Sequence, residues 1–232
     1  MSAAQASVVV VHGLWMPGTE TALMRRRLQA AGFATRLFRY RSVTHGLTAN
    51  ATRLAEFLAL VPGDTVHMIG HSLGGVLILE ALAQQPFARE GRVVCLGSPL
   101  AGSCTAEVLA GSLAGRWLIG RCTQDLLERG GLRECAVRQQ VGSIAGDCPV
   151  GFGRLVGGLI GANDGTVAVE ETRLPGAADH IVLRASHFSL LWSMEVHRQI
   201  LWFLESGRFR HEVGAGHIAL RPASKRRDRG GR

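Results

Sequence analysis

Short apolar runs alternate with amphipathic segments along most of the chain. The runs at residues 7–11, 65–69 and 92–96 are nearly continuous, which is typical of strands that are buried on both faces. Apolar residues at helical spacing occur between such runs, for example over 46–60 and 76–83. Because short turns separate these elements, the alternation predicts an α/β fold with a mostly parallel sheet and helices on both faces.

The remaining elements follow the same rhythm, with one interruption. We predict strands at 34–39, 141–145 and 180–184, an extended segment at 167–172, and helices over 19–31 and 187–205. Residues 101–135 contain one or two helices, around 106–118 and 123–129, which is more than a simple crossover needs. We therefore expect a small helical insertion there.

The bulk composition fits one globular domain. The chain has 232 residues, of which 47% are hydrophobic, so it can bury a sizeable core. It contains no run of about 18 apolar residues that would span a membrane. Its first residues lack the basic segment of a secretion signal, so we expect a cytoplasmic protein. We predict a single domain over residues 1–205 and a tail over residues 206–232.

The formal net charge of +8 is concentrated in that tail. Residues 206–232 include eight basic and two acidic residues, and we expect disorder from about residue 222. Such a tail can contact an anionic membrane surface weakly. The chain lacks zinc-finger, helix-turn-helix and RNA-binding signatures, so we expect no specific nucleic-acid partner and rank a tail-driven nucleic-acid binder last.

Five cysteines are spread along the sequence without a C-x-x-C spacing: Cys95, Cys104, Cys122, Cys135 and Cys148. This odd number argues against a full disulfide framework, and the spacing argues against a structural zinc site. We expect free or buried thiols in a reducing compartment, and no metal ion.

The strongest chemical signal is the pentapeptide Gly70-His71-Ser72-Leu73-Gly74. It follows a predicted strand and leads directly into a predicted helix, the setting in which G-x-S-x-G forms a nucleophile elbow. Small residues two before and two after Ser72 permit the strained turn, which raises the serine oxygen above the sheet edge. Ser72 is therefore the predicted nucleophile.

A serine hydroxyl needs a base to take its proton, and histidine is the usual base. His187 follows the last predicted strand, where a loop at the carboxyl edge of the sheet would reach Ser72. The chain order Ser, acid, His is also the order of triads on such sheets. We predict that His187 is the base; the alternative is a surface histidine that caps the last helix.

The third member should be a carboxylate that orients the imidazole. Four aspartates between Ser72 and His187 are candidates: Asp125, Asp147, Asp164 and Asp179. Asp164 lies in a tight turn between an asparagine and a glycine, which can aim its carboxylate inward. Asp147 directly follows the strand at 141–145 and is the rival. The loop favours Asp164, and both remain open at this point.

Two backbone N–H groups are expected to hold the oxyanion that forms when an ester carbonyl is attacked. One belongs to Leu73, the residue after the nucleophile. The second should come from the loop His12-Gly13-Leu14-Trp15 after the first strand, where Gly13 lets the backbone approach a substrate closely. We predict that Leu14 is this donor, with Trp15 as the alternative.

Five short motifs follow one another along the chain in a fixed order. They are His12-Gly13, Gly70-His71-Ser72-Leu73-Gly74-Gly75, Gly97-Ser98-Pro99, Asn163-Asp164-Gly165-Thr166-Val167 and Ser186-His187-Phe188. Over residues 7–205 the sequence resembles α/β-hydrolases of the bacterial lipase and esterase type. The resemblance implies the α/β-hydrolase fold, a triad of Ser72, Asp164 and His187, and an oxyanion hole formed by Leu14 and Leu73. In contrast to many lipid-active members, any cover over the site must come from residues 101–135.

The predicted reaction is acyl transfer through an acyl-enzyme on Ser72, which needs no metal and no organic cofactor. Four apolar residues near the motifs are expected to bind the small-molecule substrate: Trp15, Met16, Leu100 and Phe188. We therefore expect a serine esterase or lipase that cleaves short- to medium-chain acyl esters or lipids. A thioesterase or acyltransferase on the same triad, and a ligand-binding hydrolase relative without turnover, are the alternatives.

Overall fold

The computed structural model describes residues 6–132, 134–151 and 159–211, and within them six strands form one sheet. The strands are β1 (Ser7–Val11), β2 (Ala34–Phe38), β3 (Val66–His71), β4 (Arg92–Leu96), β5 (Gln140–Gly146) and β6 (Asp179–Leu183). Their order across the sheet is β2-β1-β3-β4-β5-β6, and every neighbouring pair is parallel. The predicted fold class is confirmed.

Helices cover both faces of this sheet. Those in the described residues are α1 (Ala22–Ala30), α2 (Leu47–Ala59), α3 (Leu73–Gln84), α4 (Cys104–Ala110), α5 (Leu113–Glu128) and α6 (Met194–Ser206). Along β1, Val9 and Val11 belong to the core cluster shared with α2 and α3, whereas Val8 and Val10 belong to the cluster shared with α1 and α6. Because successive side chains of a strand point to opposite faces, a sheet covered on both sides needs the continuous apolar run seen in the sequence.

Two predicted elements differ from the structure. Residues 167–172 are not extended; they form an isolated bridge and a 3-10 turn at Glu170–Thr172. The backbone curls there because the N–H of Val167 donates to Oδ1 of Asp164 and the N–H of Ala168 donates to Oε2 of Glu171, so neither N–H pairs with a strand. The closing helix begins at Met194 and not at residue 187. A 3-10 turn at Ser189–Leu191 precedes it, and the hydroxyl of Ser193 caps its first turn by accepting the N–H of Val196.

The insertion expected within 101–135 consists of α4 and α5, which we call the cap. Each helix begins after a serine whose hydroxyl accepts a backbone N–H of the first turn, Ser103 for α4 and Ser112 for α5. α5 is broken at Gly120, where φ is 66° and ψ is 170°. This break lies between the two helices predicted from the sequence.

Beyond residue 205 the chain continues to pack against the domain, as far as the described residues extend. Phe209 is buried against Phe203 of α6, with their ring centroids 4.8 Å apart, and its N–H donates to Asp179. Residues 212–232, including the tail segment expected to be disordered, lie outside the described residues. In the part of the chain that the structure describes, no helix has the length and apolar character needed to cross a membrane. The five cysteines are free thiols.

Candidate active site

Ser72 lies between the last residue of β3 and the first residue of α3, with φ 53° and ψ −126°. A side chain at Gly70 would collide with the backbone of Gly75, and a side chain at Gly74 would collide with the carbonyl oxygen of Val11. The turn therefore closes only because both positions are glycine. The N–H of Ser72 donates to the carbonyl of Leu96 at 2.8 Å, which ties the elbow to β4.

Asp164 and His187 form a buried pair at the same edge of the sheet. The Nδ1 atom of His187 lies 2.7 Å from Oδ2 of Asp164, and the two residues are 4% and 1% exposed. The N–H of His187 also donates to the backbone carbonyl of Asp164 at 2.9 Å. An ionised carboxylate accepts hydrogen bonds only, so Nδ1 carries the proton and Nε2 is left with a lone pair.

The carboxylate of Asp164 is fixed on its other side by its own loop. Its Oδ1 atom accepts the N–H groups of Thr166 and Val167 at 2.9 and 2.8 Å. These bonds fix which oxygen of the carboxylate faces the histidine. Space for the pair comes from Gly97, where an added Cβ would lie 2.9 Å from Oδ2 of Asp164 and 3.2 Å from Nδ1 of His187.

The other candidate acids lie elsewhere and make other contacts. Asp147 is exposed, and its N–H donates to the carbonyl of Leu183. Asp125 accepts the first N–H of α2, and Asp179 accepts the N–H of Phe209. The structure thus brings Asp164, and not its rival, to His187.

His71 supports His187 from beneath. Its Nε2–H donates to the carbonyl of His187 at 2.9 Å, and the two ring centroids are 4.8 Å apart. Burial, reinforced by the neighbouring His187, lowers the pKa of His71 from its usual 6.5 to about 3. Its Nδ1 atom is buried without a hydrogen-bond partner, so a proton there would have no acceptor. His71 is therefore a neutral histidine that packs against His187.

The loop at residues 12–15, which we call the oxyanion loop, is held by the ring of His12. Nε2 of this ring accepts the N–H of Tyr40 at 3.3 Å, which leaves the proton on Nδ1, and Nδ1–H donates to the carbonyl of Gly13 at 2.8 Å. In a trans peptide the carbonyl and the following N–H point in opposite directions. The N–H of Leu14 therefore points away from His12. Leu14 also lines a cavity that opens beside Ser72.

The alternative donor in this loop has another partner. The N–H of Trp15 donates to Oγ of Ser42 at 3.3 Å. The N–H of Leu73 lies at the start of α3, among the helix amides that have no partner within the helix and carry its partial positive charge. The geometry favours Leu14 and Leu73 as the pair of donors.

A cavity of about 330 Å³ opens beside Ser72 and is walled mainly by apolar side chains. Its lining comprises Gly13, Leu14, Trp15, Met16, Ser72, Leu73, Pro99, Ser103, Thr105, Ala106, Leu109, Leu118, Ile119, Thr123, Leu126, Thr166, Val167, His187 and Phe188. Ser72 and His187 thus face one space, and seven of its lining residues belong to the cap helices α4 and α5. A cavity of this size and character suits a small apolar ligand.

The four residues expected to bind substrate are placed differently. Trp15, Met16 and Phe188 line the cavity. Leu100 does not match the expectation: its side chain is fully buried in the core cluster shared with α2 and α3. The residue just before it in the chain, Pro99, lines the cavity instead.

The sequence interpretation assigned no role in the site to His12, His71, Gly97 or the cap residue Ile119. For His71 the sequence did contain a signal. Adjacent residues of a strand point to opposite sides, so the residue just before Ser72 must direct its side chain away from the serine hydroxyl. His12 belongs to the His12-Gly13 motif, but its ring accepts a hydrogen bond from Tyr40, and no local sequence pattern connects these two residues.

Comparison with known proteins gives a family and several structural neighbours. The alpha/beta hydrolase family model matches residues 8–221. A lipase of Bacillus licheniformis, BlEst2 in its propeptide form, has a TM-score of 0.71 at 22% identity, over 85% of this chain and 50% of that one. The metagenomic carboxyl esterase MGS0156 has a TM-score of 0.64 at 24% identity, over 81% of this chain and 65% of that one.

A third neighbour is RedJ, a thioesterase of prodiginine biosynthesis in Streptomyces coelicolor, with a TM-score of 0.57 at 15% identity, over 88% of this chain and 86% of that one. At these identities the likeness concerns the fold alone. The chain spans about half of the lipase and about two thirds of the esterase. No curated protein matches the sequence.

Proposed function

Because the chain belongs to the alpha/beta hydrolase family, we propose that it is a serine hydrolase that cleaves carboxylic esters of short- to medium-chain acids. The observation that supports this most is the buried bond between His187 and Asp164 at a cavity that Ser72 also lines. A base oriented by a carboxylate, with a serine on a strained elbow in the same cavity, is the arrangement that acyl transfer needs.

In the proposed reaction, Oγ of Ser72 attacks the ester carbonyl carbon and its proton passes to Nε2 of His187. The carbonyl oxygen becomes an oxyanion, which the N–H groups of Leu14 and Leu73 hold. The intermediate collapses, the alcohol leaves with the proton from His187, and an acyl ester remains on Ser72. Water, deprotonated by His187, then releases the acid and restores the serine.

Asp164 stays ionised throughout and stabilises the imidazolium at each step. Two N–H bonds to its Oδ1 keep it in place, so no reorganisation is needed when the charge develops. The apolar walls exclude water and favour an acyl chain over a peptide.

The test is a panel of p-nitrophenyl esters from acetate to laurate, with acyl-CoA thioesters of the same chain lengths. We expect hydrolysis of the esters by the wild-type protein and a fall in kcat of about 10³-fold or more in Ser72→Ala, whose fold is checked by circular dichroism. Esterase activity that survives in Ser72→Ala would refute the proposed nucleophile. Faster turnover of the thioesters than of the esters would assign the same site to a thioesterase.

A further inference from the structure

Trp15 directly follows the proposed oxyanion donor Leu14 and has an unusual backbone conformation. Its φ of 60° lies in the left-handed region, and among the described residues Ser72 is the other non-glycine residue with a positive φ. Residues with a side chain adopt this region rarely and stay there only when surrounding contacts hold them. The contacts of Trp15 must therefore compensate for the strain in the loop.

Two hydrogen bonds hold Trp15, one from its backbone and one from its ring. The backbone N–H donates to Oγ of Ser42 at 3.3 Å, and the indole Nε1–H donates to the carbonyl of Leu118 at 2.6 Å. The indole also packs beside Trp117, with ring centroids 5.4 Å apart. Ser42 lies in the loop after β2 and Leu118 lies in the cap, so Trp15 joins three separate segments.

The carbonyl of Leu118 can accept the indole because α5 is broken at Gly120. In an unbroken helix this carbonyl would pair with the N–H of Cys122, four residues on. In the structure the N–H of Cys122 donates to the carbonyl of Ser42 at 3.4 Å. The helix break thus supplies an acceptor at the point where the oxyanion loop meets the cap.

We infer that Trp15 is a positioning residue: it fixes the Leu14 N–H for the oxyanion and ties the oxyanion loop to the cap wall of the cavity. The inference rests on the proposed esterase function. The ring of His12 holds the carbonyl of Gly13, which precedes Leu14. The bonds of Trp15 to Ser42 and Leu118 hold the residue that follows it. Leu118 itself lines the cavity, so an acyl chain packed on that wall also stabilises the loop that holds the oxyanion.

Trp15→Phe keeps an aromatic ring but removes the indole N–H. With p-nitrophenyl acetate, whose acyl group uses little of the cavity, we expect kcat to fall about tenfold while KM changes by less than about twofold, because the lost contribution acts on the transition state. With the octanoate we expect KM to rise as well, since the cap wall is released.

Trp192→Phe is the matched control. Trp192 is 47% exposed against 48% for Trp15, and its indole N–H likewise donates to a backbone carbonyl, that of Glu20, at 3.3 Å. We expect it to keep the wild-type kcat. Ser42→Ala provides a second route, because it leaves the indole bond and removes the acceptor of the Trp15 N–H; we expect a smaller fall in kcat with unchanged KM for the acetate.

Wild-type kcat in both Trp15→Phe and Ser42→Ala would overturn the inference, as would a rise in KM for the acetate with unchanged kcat. An equal fall in Trp192→Phe would overturn it too, because the effect would then be general. Should Trp15→Phe fail to fold by circular dichroism, Ser42→Ala decides alone. The wild-type protein and Ser72→Ala are assayed alongside: an inactive wild type refutes the proposed function and the inference together, whereas an active wild type with fully active Trp15→Phe refutes the inference alone.

Discussion

The two halves of the candidate site are held in place in different ways. Asp164 and His187 are almost fully buried and bonded to each other through both side chain and backbone. The cap faces solvent with large apolar side chains; Leu113 is 88% exposed and Trp117 is 69% exposed. The half that carries the chemistry is built into the core, while the half that walls the cavity is attached to its surface.

This difference follows from what each half has to do. Reacting groups must be held within a fraction of an ångström of their working positions, which packing and backbone bonds achieve. A wall for an acyl chain needs apolar area and little directional bonding, because the hydrophobic effect is not directional. We expect substitutions in the core half to change kcat and substitutions in the cap to change which chain length is preferred.

The largest effect is expected from Asp164→Asn. The N–H groups of Thr166 and Val167 would keep the amide oxygen on their side, so the amide NH₂ would face His187 and force its Nδ1 to become an acceptor. Nε2 would then carry the proton and could not take one from Ser72. We expect kcat to fall by about 10³- to 10⁴-fold.

Asp147→Asn is the control for this prediction, because Asp147 is exposed and is the rival acid of the sequence interpretation. Its kcat on p-nitrophenyl esters should stay within about twofold of the wild type. A large loss in Asp147→Asn with retained activity in Asp164→Asn would reverse the two assignments.

A smaller, selective effect is expected from filling the cavity. Leu109 lines it, so Leu109→Trp should lower kcat/KM for the octanoate about tenfold relative to the acetate. Val108, its neighbour, is 50% exposed, and Val108→Trp should leave this ratio unchanged. If both variants shifted the ratio equally, the cavity would not be the acyl site.

A moderate effect on stability is expected from the buried neutral histidine. The pKa of His71 is about 3 in the folded protein, against the usual 6.5. Between pH 6.5 and about 3 the unfolded chain takes up a proton at this histidine that the folded protein does not. The contribution of neutral His71 to the free energy of unfolding is therefore complete above about pH 6.5 and is lost as the pH falls, by up to about 1.4 kcal/mol per pH unit.

Urea unfolding of His71→Gln between pH 4 and 7 tests this sign. Its free energy of unfolding should depend less steeply on pH than that of the wild type, by up to about 1.4 kcal/mol per pH unit. His67→Gln offers a comparison, since burial lowers the pKa of His67 to about 4. A His71→Gln slope equal to that of the wild type would mean that His71 accepts a proton in the folded protein.

The smallest effect is expected at the end of the chain. Deleting residues 222–232 should leave kcat/KM within about twofold of the wild type, because among the residues that the structure describes the cavity lining ends at Phe188. Truncation after residue 206 removes Phe209 from its contact with Phe203 and should lower the Tm. A loss of activity on the shorter deletion would show that the basic segment acts on the site.

The same division separates what the sequence predicts from what it does not. The elbow, β1 and the Asp164 loop depend on glycines and apolar runs within a few residues of each other, so local patterns identify them. The position of Leu100 in the core, and of Pro99 in the cavity, depends on which face of a loop packs inward. No periodicity applies to a loop, so that outcome could not be predicted.

Contacts between segments that are distant in the sequence could not be predicted either. The bond from Trp15 to Leu118 joins residues that are 103 positions apart and exists because a helix breaks at Gly120. The start of the last helix is a separate case: it begins after Ser193, whose hydroxyl accepts the N–H of Val196, and the residues before it form a 3-10 turn at Ser189–Leu191. Apolar periodicity does not separate such a turn from the first turn of an α-helix.

The most direct test of the account is covalent labelling of the wild-type protein with a fluorophosphonate, followed by peptide mass spectrometry. Attack by an activated serine displaces fluoride and leaves a stable phosphonyl ester. We expect one adduct, on Ser72, that forms at a greatly reduced rate in Asp164→Asn. An adduct on another residue, or an unlabelled protein that still hydrolyses esters, would contradict it.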